Sequence, residues 1–211
     1  MTATDNLKNI LSRAVGRLHI PEELSQSKEK KILHISDTPT SLYPAIKNLL
    51  KTLEPDILIH TGDLADDIKL EDAPHNLEQY NQVVGPFIEM LEQSNCREIY
   101  IIPGNHDNVE VIKGYQNTSA LLNEGDIINV DNFKLGLSHS IRNLPGDTQF
   151  NLYGHNFKRT KDTNSKTVYL NGIRNIHVIL LPSNEVVKIQ YPWATNHDRK
   201  VNDKHKLPNT I

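Results

Sequence analysis

Aspartate, asparagine and histidine recur in this sequence at one kind of place, directly after a short apolar run. Lys31–Ile35 is followed by Ser36-Asp37, Asp56–His60 by Thr61-Gly62-Asp63, and Glu98–Ile102 by Pro103-Gly104-Asn105-His106-Asp107. Further on, Lys134–Leu137 leads to His139, and Phe150–Tyr153 to Gly154-His155. Carboxylate oxygen, amide oxygen and imidazole nitrogen form a mixed donor set that suits Mn²⁺, Fe²⁺ or Zn²⁺ rather than a thiolate site. Asp63, Asn105, His139 and His155 already make a full set of protein ligands for one ion. Taken alone, Gly104–Asp107 also reads as a turn with a capping aspartate after an ordinary core strand. The repetition of the pattern at other strand ends favours a site.

The runs that carry these residues are strand-sized and rich in β-branched side chains. Between them, Ala45, Ile46, Leu49, Leu50 and Leu53, and then Leu77, Tyr80, Val84, Phe87, Ile88 and Leu91, fall at helical spacing. Strand–helix–strand–helix–strand with short connections predicts a parallel sheet covered by helices on both sides. In such open sheets ligands bind at the carboxyl ends of the strands. Beyond about residue 124 the pattern turns to strands at 127–130, 134–137, 150–153, 167–170, 176–181 and 186–190, separated by Asp131-Asn132, Pro145-Gly146 and Asn171-Gly172. The last of these reads as a hairpin turn. The expectation is an α/β fold in which a mixed or antiparallel sheet packs against the first.

Residues 1–30 read as an amphipathic helix with Leu7, Ile10, Leu11, Ala14 and Leu18 on one face, packed on the domain, followed by a connecting loop from Pro21. Residues 31–191 form the main domain, and 192–211 a peripheral polar tail. His34, His60 and His177 lie inside strands and are expected to be packed, whereas His75, His197 and His205 are expected to be solvated. The chain has 211 residues, a formal charge of −3 and one cysteine, Cys96. Its charge gives no polybasic face for long nucleic acid, and a lone cysteine points to a reducing, cytoplasmic setting. No apolar run reaches membrane-spanning length, so no membrane partner is expected.

With these residues in order, the chain resembles the calcineurin-like metallophosphoesterase superfamily over roughly residues 31–181. Its members read Asp-x-His, Gly-Asp, Gly-Asn-His-Asp or Glu, a later His, and Gly-His-x-His at these strand ends. The resemblance implies two packed mixed β-sheets flanked by helices, a four-layer αββα sandwich, and hydrolysis of phosphate esters by metal-activated water. It implies metal ligands at Asp37, Asp63, Asn105, His139 and His155. His106 is implied to contact the phosphate and protonate the leaving oxygen, with Asp107 orienting it. Asn105 and His106 would touch substrate, and the cations Lys158 and Arg159, followed by Lys161, would attract it.

Two positions depart from that pattern. Pro39 stands for the histidine of Asp-x-His, and Phe157 for the last histidine of Gly-His-x-His. In the family both serve the same ion, so one metal site is stripped of its imidazoles while the other keeps every ligand. One tightly bound ion is expected; Asp37 beside Asp63 could still hold a weak, mostly hydrated Mg²⁺ or Mn²⁺, with Asn156, or Asp66 and Asp67, as substitute oxygen ligands. The implied function is a one-metal phosphoesterase acting on a phosphorylated small molecule or phosphodiester. The alternative is a degenerate family member that binds a phospho-ligand or a protein without catalysis. A nuclease subunit is disfavoured by the net acidity.

Overall fold

The computed structural model describes residues 3–157 and 166–200. Three strands, β1 (Lys30–Ile35), β2 (Ile57–His60) and β3 (Glu98–Ile101), lie parallel and side by side. They are joined by helices α3 (Tyr43–Leu53) and α4 (Leu77–Glu92), after α1 (Ala3–Ala14) and α2 (Glu22–Gln26) at the start of the chain. The strands are buried on both faces, which is why they read as continuous apolar runs rather than alternating ones. Leu33 and Ile35 of β1 meet the helical layer with Ile46, Leu49, Leu53, Val84, Phe87 and Ile88. Ile32, Ile57 and Ile59 face the other way.

What they face is a second sheet. After α5 (Val109–Tyr115) and the short β4 (Ala120–Leu121), strands β5 (Ile127–Val130), β6 (Phe133–Leu137), β7 (Phe150–Tyr153) and β8 (Val168–Asn171) form it in that order. Leu135, Leu137, Phe150, Leu152 and Leu170 fill the space between the sheets. The first sheet is completed by β9 (Ile176–Leu181) and β10 (Val186–Ile189), both antiparallel, giving the order β10-β9-β1-β2-β3-β4. Two packed mixed sheets with flanking helices are thus observed. The far side of the parallel strands is covered by the second sheet instead of a second set of helices.

Other local expectations change. Asn171-Gly172 makes no hairpin, because β8 and β9 belong to different sheets and the turn carries the chain between them. The stretch expected as a loop from Pro21 holds α2, anchored by buried Leu24. In α1 the apolar Leu7, Ile10 and Leu11 are exposed, and polar groups attach the helix instead. Arg13 Nε donates to the Tyr191 carbonyl at 3.0 Å, and Asn9 donates to Gln190. The segment after residue 191 is not wholly peripheral. It forms α6 (Thr195–Asp198), and Arg199 behind it is completely buried. His34, His60 and His177 are buried as expected, while His75 and His197 are exposed. His205 lies outside the described residues.

Candidate metal centre

β1, β2 and β3 are parallel, and so are β6 and β7, so all five deliver their carboxyl ends to one edge of the sandwich. The loops there interlock through the backbone. Asp37 N–H donates to the Gly62 carbonyl and Thr38 N–H to the Asp63 carbonyl, each at 2.9 Å. Gly62 has φ +94, and a Cβ there would sit 2.6 Å from both the Gly104 nitrogen and His139 Nδ1. A Cβ on Gly104 would fall 2.2 Å from Asp63 Oδ1. Glycine is what allows the loops to close on one another.

Four donor atoms converge in the space so formed. Asn105 Oδ1 lies 2.9 Å from His155 Nδ1 and 3.0 Å from His139 Nε2. His139 Nε2 is 3.3 Å from His155 Nδ1 and 3.3 Å from Asp63 Oδ2. Ligands about 2.1 Å from a tetrahedral ion stand about 3.4 Å apart, which these spacings approach. The proton positions follow from the partners. His139 Nδ1 is 2.7 Å from the Thr61 carbonyl, which only accepts, so Nδ1 carries the proton and Nε2 is bare in the neutral ring. Asn105 Nδ2 donates to Glu71, which turns Oδ1 toward the imidazoles. The His139 lone pair therefore points at carboxylate and amide oxygens, an arrangement that needs either a second proton on His139 or a cation. The donor set fits a divalent ion.

The local electrostatics say the same. Burial works against a charge on His139, but the Asp63 carboxylate and then Asp37 overcome it and push the imidazole up to about 10. Burial likewise opposes ionisation of Asp63, and attraction to His139 and His106 holds it below the usual carboxylate range. Burial lowers His106, and burial with the nearby His139 lowers His155. Asp37 belongs to the same cluster, with one ligand atom each of Asp37, Asp63 and His139 lying within 4.8 Å of one another.

On the Asp37 side the two imidazoles of the family pattern are missing. Pro39 and Phe157 are buried and offer no donor. Asp37 Oδ2 accepts from Ser36 Oγ at 2.6 Å and from His155 N–H at 3.1 Å. Asp67 accepts from the Thr40 N–H and hydroxyl, each at 2.8 Å, and Asp66 is paired with Lys69. Of the replacements expected for the missing imidazoles, Asp66 and Asp67 are thus engaged with other groups.

One role needs correction. Asp107 was expected to orient the His106 ring, but its carboxylate is saturated by other donors. Oδ2 accepts from the N–H of Asp63 at 2.7 Å and of Gly104 at 2.8 Å, and Oδ1 from the Leu64 N–H and the Tyr80 hydroxyl, each at 2.8 Å. It ties the β2 and β3 loops together. His106 Nδ1 has no hydrogen-bond partner among the described residues, while its N–H donates to Asp63 Oδ1 at 2.9 Å. Lys158, Arg159 and Lys161 lie outside the described residues. The Thr61 carbonyl, Glu71, Tyr80 and Arg199 serve the site without a sequence signal of their own.

A sequence model of the calcineurin-like phosphoesterase family matches residues 30–207. No curated protein sequence matches. Among solved structures, the fold is similar to an archaeal phosphodiesterase at 18% identity and TM-score 0.52, over 76% of this chain and 99% of that one. It is also similar to Yfce, a phosphoesterase from E. coli, at 14% identity and TM-score 0.51, over 77% of this chain and 99% of that one. At such identities these likenesses concern the fold.

Proposed function

The chain belongs to the calcineurin-like phosphoesterase family, and from that premise we propose that it is a one-metal phosphoesterase cleaving a phosphomonoester or phosphodiester. The observation that carries this reading is the convergence of Asp63, Asn105, His139 and His155 with the His139 lone pair aimed at oxygens. These residues would hold Mn²⁺, Fe²⁺ or Zn²⁺, with Asp37 bracing the shell from the side. When bound, the ion supplies Lewis acidity toward water and a phosphoryl oxygen.

The protein's own groups do the rest. Asn105, fixed by Glu71, presents its amide oxygen inward. His106 stands beside the centre with a free ring nitrogen and hands a proton to the departing oxygen. Burial lowers its basicity in the free protein, and an arriving phosphate anion reverses that field. Lys158 and Arg159, which follow His155 closely in the chain, are assigned to attracting the anionic substrate. Among the described residues no helix is long and apolar enough to cross a membrane. With Cys96 as a free thiol, a reducing cytoplasmic setting is part of the proposal.

The absence of both imidazoles on the Asp37 side favours the alternative of a phospho-ligand-binding or protein-interaction module, and one experiment separates the two. Metal is counted in the protein as purified and in Asn105→Ala and His139→Ala, alongside hydrolysis of aryl phosphates. The parent should hold one ion and turn over substrate, and each variant should lose most of both. Full metal in both variants would remove the ligand assignment, and metal without hydrolysis would leave the binding module.

A further inference from the structure

Beside the candidate centre the buried carboxylates of Asp63 and Asp66 lie close to His106, and a lysine stands at their edge. Asp66 is 1% exposed, and its backbone N–H donates to the Thr38 carbonyl at 3.1 Å, which fixes it under the β1 loop. One ligand atom each of Asp63, Asp66 and His106 lie within 4.8 Å of one another. Lys69 Nζ pairs with Asp66 Oδ1 at the edge of that cluster.

The loop is built to put the ammonium there. The chain reverses at Lys69, whose φ is +55, a conformation that side chains bearing a Cβ rarely adopt. Ile68 N–H donates to the Ala65 carbonyl, and the N–H groups of Asp72 and Ala73 both donate to the Lys69 carbonyl. Ile68 and Leu70, on either side, are buried in the core. An ordinary surface pair between residues three apart would not need such anchoring, and its carboxylate would be wet. Among the described residues Asp66 is the only hydrogen-bond partner of the ammonium, so two of its three donors remain to be used.

We propose that the Lys69 ammonium is a built-in cation of this site, occupying the carboxylate Asp66 so that Asp63, Asp66 and His106 do not recruit a second divalent ion, and offering its remaining donors to a phosphoryl oxygen. The exclusion of an ion stands on geometry alone, whereas the contact with phosphate rests on the phosphoesterase reading. Lysine acts on phosphate as a point charge and asks for no particular fork geometry.

The test is equilibrium dialysis against Mn²⁺ with metal counting, joined to kinetics on an aryl phosphate. The parent should bind one ion. Lys69→Met should bind a second, weaker ion, and Lys69→Met with Asp66→Asn should return to one. In Lys69→Met at low Mn²⁺, KM should rise by about tenfold, the loss expected for one charge-assisted contact. Lys69→Arg keeps the charge and should bind one ion like the parent. Lys69→Gln keeps an N–H for Asp66 and loses only the charge, so it carries the same count should the methionine variant fail to fold. Two ions in the parent would overturn the inference and the one-metal count together, whereas one ion and an unchanged KM in both uncharged variants would overturn the inference while leaving a one-metal phosphoesterase intact. A parent without metal or hydrolysis would instead remove the functional reading, and an unchanged ion count in Lys69→Met would then remove the exclusion as well.

Discussion

His106 and Asp107 are neighbours with separate work. His106 has a ring nitrogen with no partner among the described residues beside the candidate centre, whereas every lone pair that Asp107 can readily offer is taken by loop N–H groups and Tyr80. His106→Ala should therefore keep its metal and fold and lose activity unevenly. General acid help is worth about 10²–10⁴ in rate, and a good leaving group does not need it. Alkyl phosphates should suffer most of that loss and activated aryl phosphates little, as steady-state kinetics on the two classes would reveal; equal losses would end the general-acid assignment. At this scale the sequence was informative where the residue type is itself rare after a strand. Asp63, Asn105, His139 and His155 were legible for that reason. Lys69 was not, because a lysine among acidic residues in a loop ordinarily reads as solvated, and its positive φ has no signature in the sequence. The Thr61 carbonyl was invisible because backbone groups are present at every position.

At the scale of elements, the strands were readable because burial on both faces makes them continuous apolar runs, and α3 and α4 because each buries a full stripe. α5 escaped notice since it is short and buries only Ile112. Asn171-Gly172 misled because a turn signal does not say which sheet receives the next strand. α6 and Arg199 escaped for a different reason. A guanidinium buries itself only where carbonyls converge, and here three of them do. They come from two segments, the β1 loop and the turn after β8: Arg199 Nε donates to the Asp37 carbonyl at 2.6 Å and Nη2 to its neighbour Ser36 at 3.3 Å, and Nη1 to Ile173 at 2.8 Å. Its guanidinium carbon lies 4.2 Å from the Tyr191 ring centroid, within cation–π range. Arg199→Met would leave these buried carbonyls unmet, and each such loss costs about 1–3 kcal/mol. Urea unfolding should register a destabilisation of about 3 kcal/mol or more, and Arg199→Lys should recover only part, since one ammonium does not reach all three. Wild-type stability in Arg199→Met would show that α6 merely lies on the β1 loop without holding it.

Across the whole molecule, the buried histidines away from the centre couple the fold to pH. His34 and His177 stack between neighbouring strands with ring centroids 5.5 Å apart, and Nδ1 of each has no partner among the described residues. His60 lies under Phe87, with Nε2 3.0 Å from Thr38 Oγ1 and Nδ1 accepting from the Gly62 N–H, which fixes a neutral ring. Burial, the leading cause in each case, pushes His60 and His177 down to about 3 and His34 well below its ordinary value. An unfolded chain takes up these protons near pH 6.5, while the native state refuses those of His60 and His177 until near pH 3 and that of His34 until well below its ordinary value. The stability they contribute is therefore complete above about pH 6.5 and is lost as pH falls toward 3. Each histidine adds a slope of up to about 1.4 kcal/mol per pH unit within that window. Glu92 behaves differently. Hydrogen bonds from Ser119, Asn117 and Thr118 outweigh its burial and hold it at about 2, so its contribution begins to fall only below about pH 4.5. Between pH 6.5 and 4.5, in chelator-treated protein, the histidines should lower the unfolding free energy. Asp107, which burial pushes up to about 6, and Asp66, which burial also raises, offset this in part, since both take up protons in the native state first. Urea titrations across that range should give a decline, and His177→Leu, which keeps the packing and removes one titrating ring, should flatten it by about one proton. A flat profile in the parent and in His177→Leu alike would mean that these rings are protonated in the native state, and an unchanged falling slope in His177→Leu would mean that the proton uptake belongs to other groups.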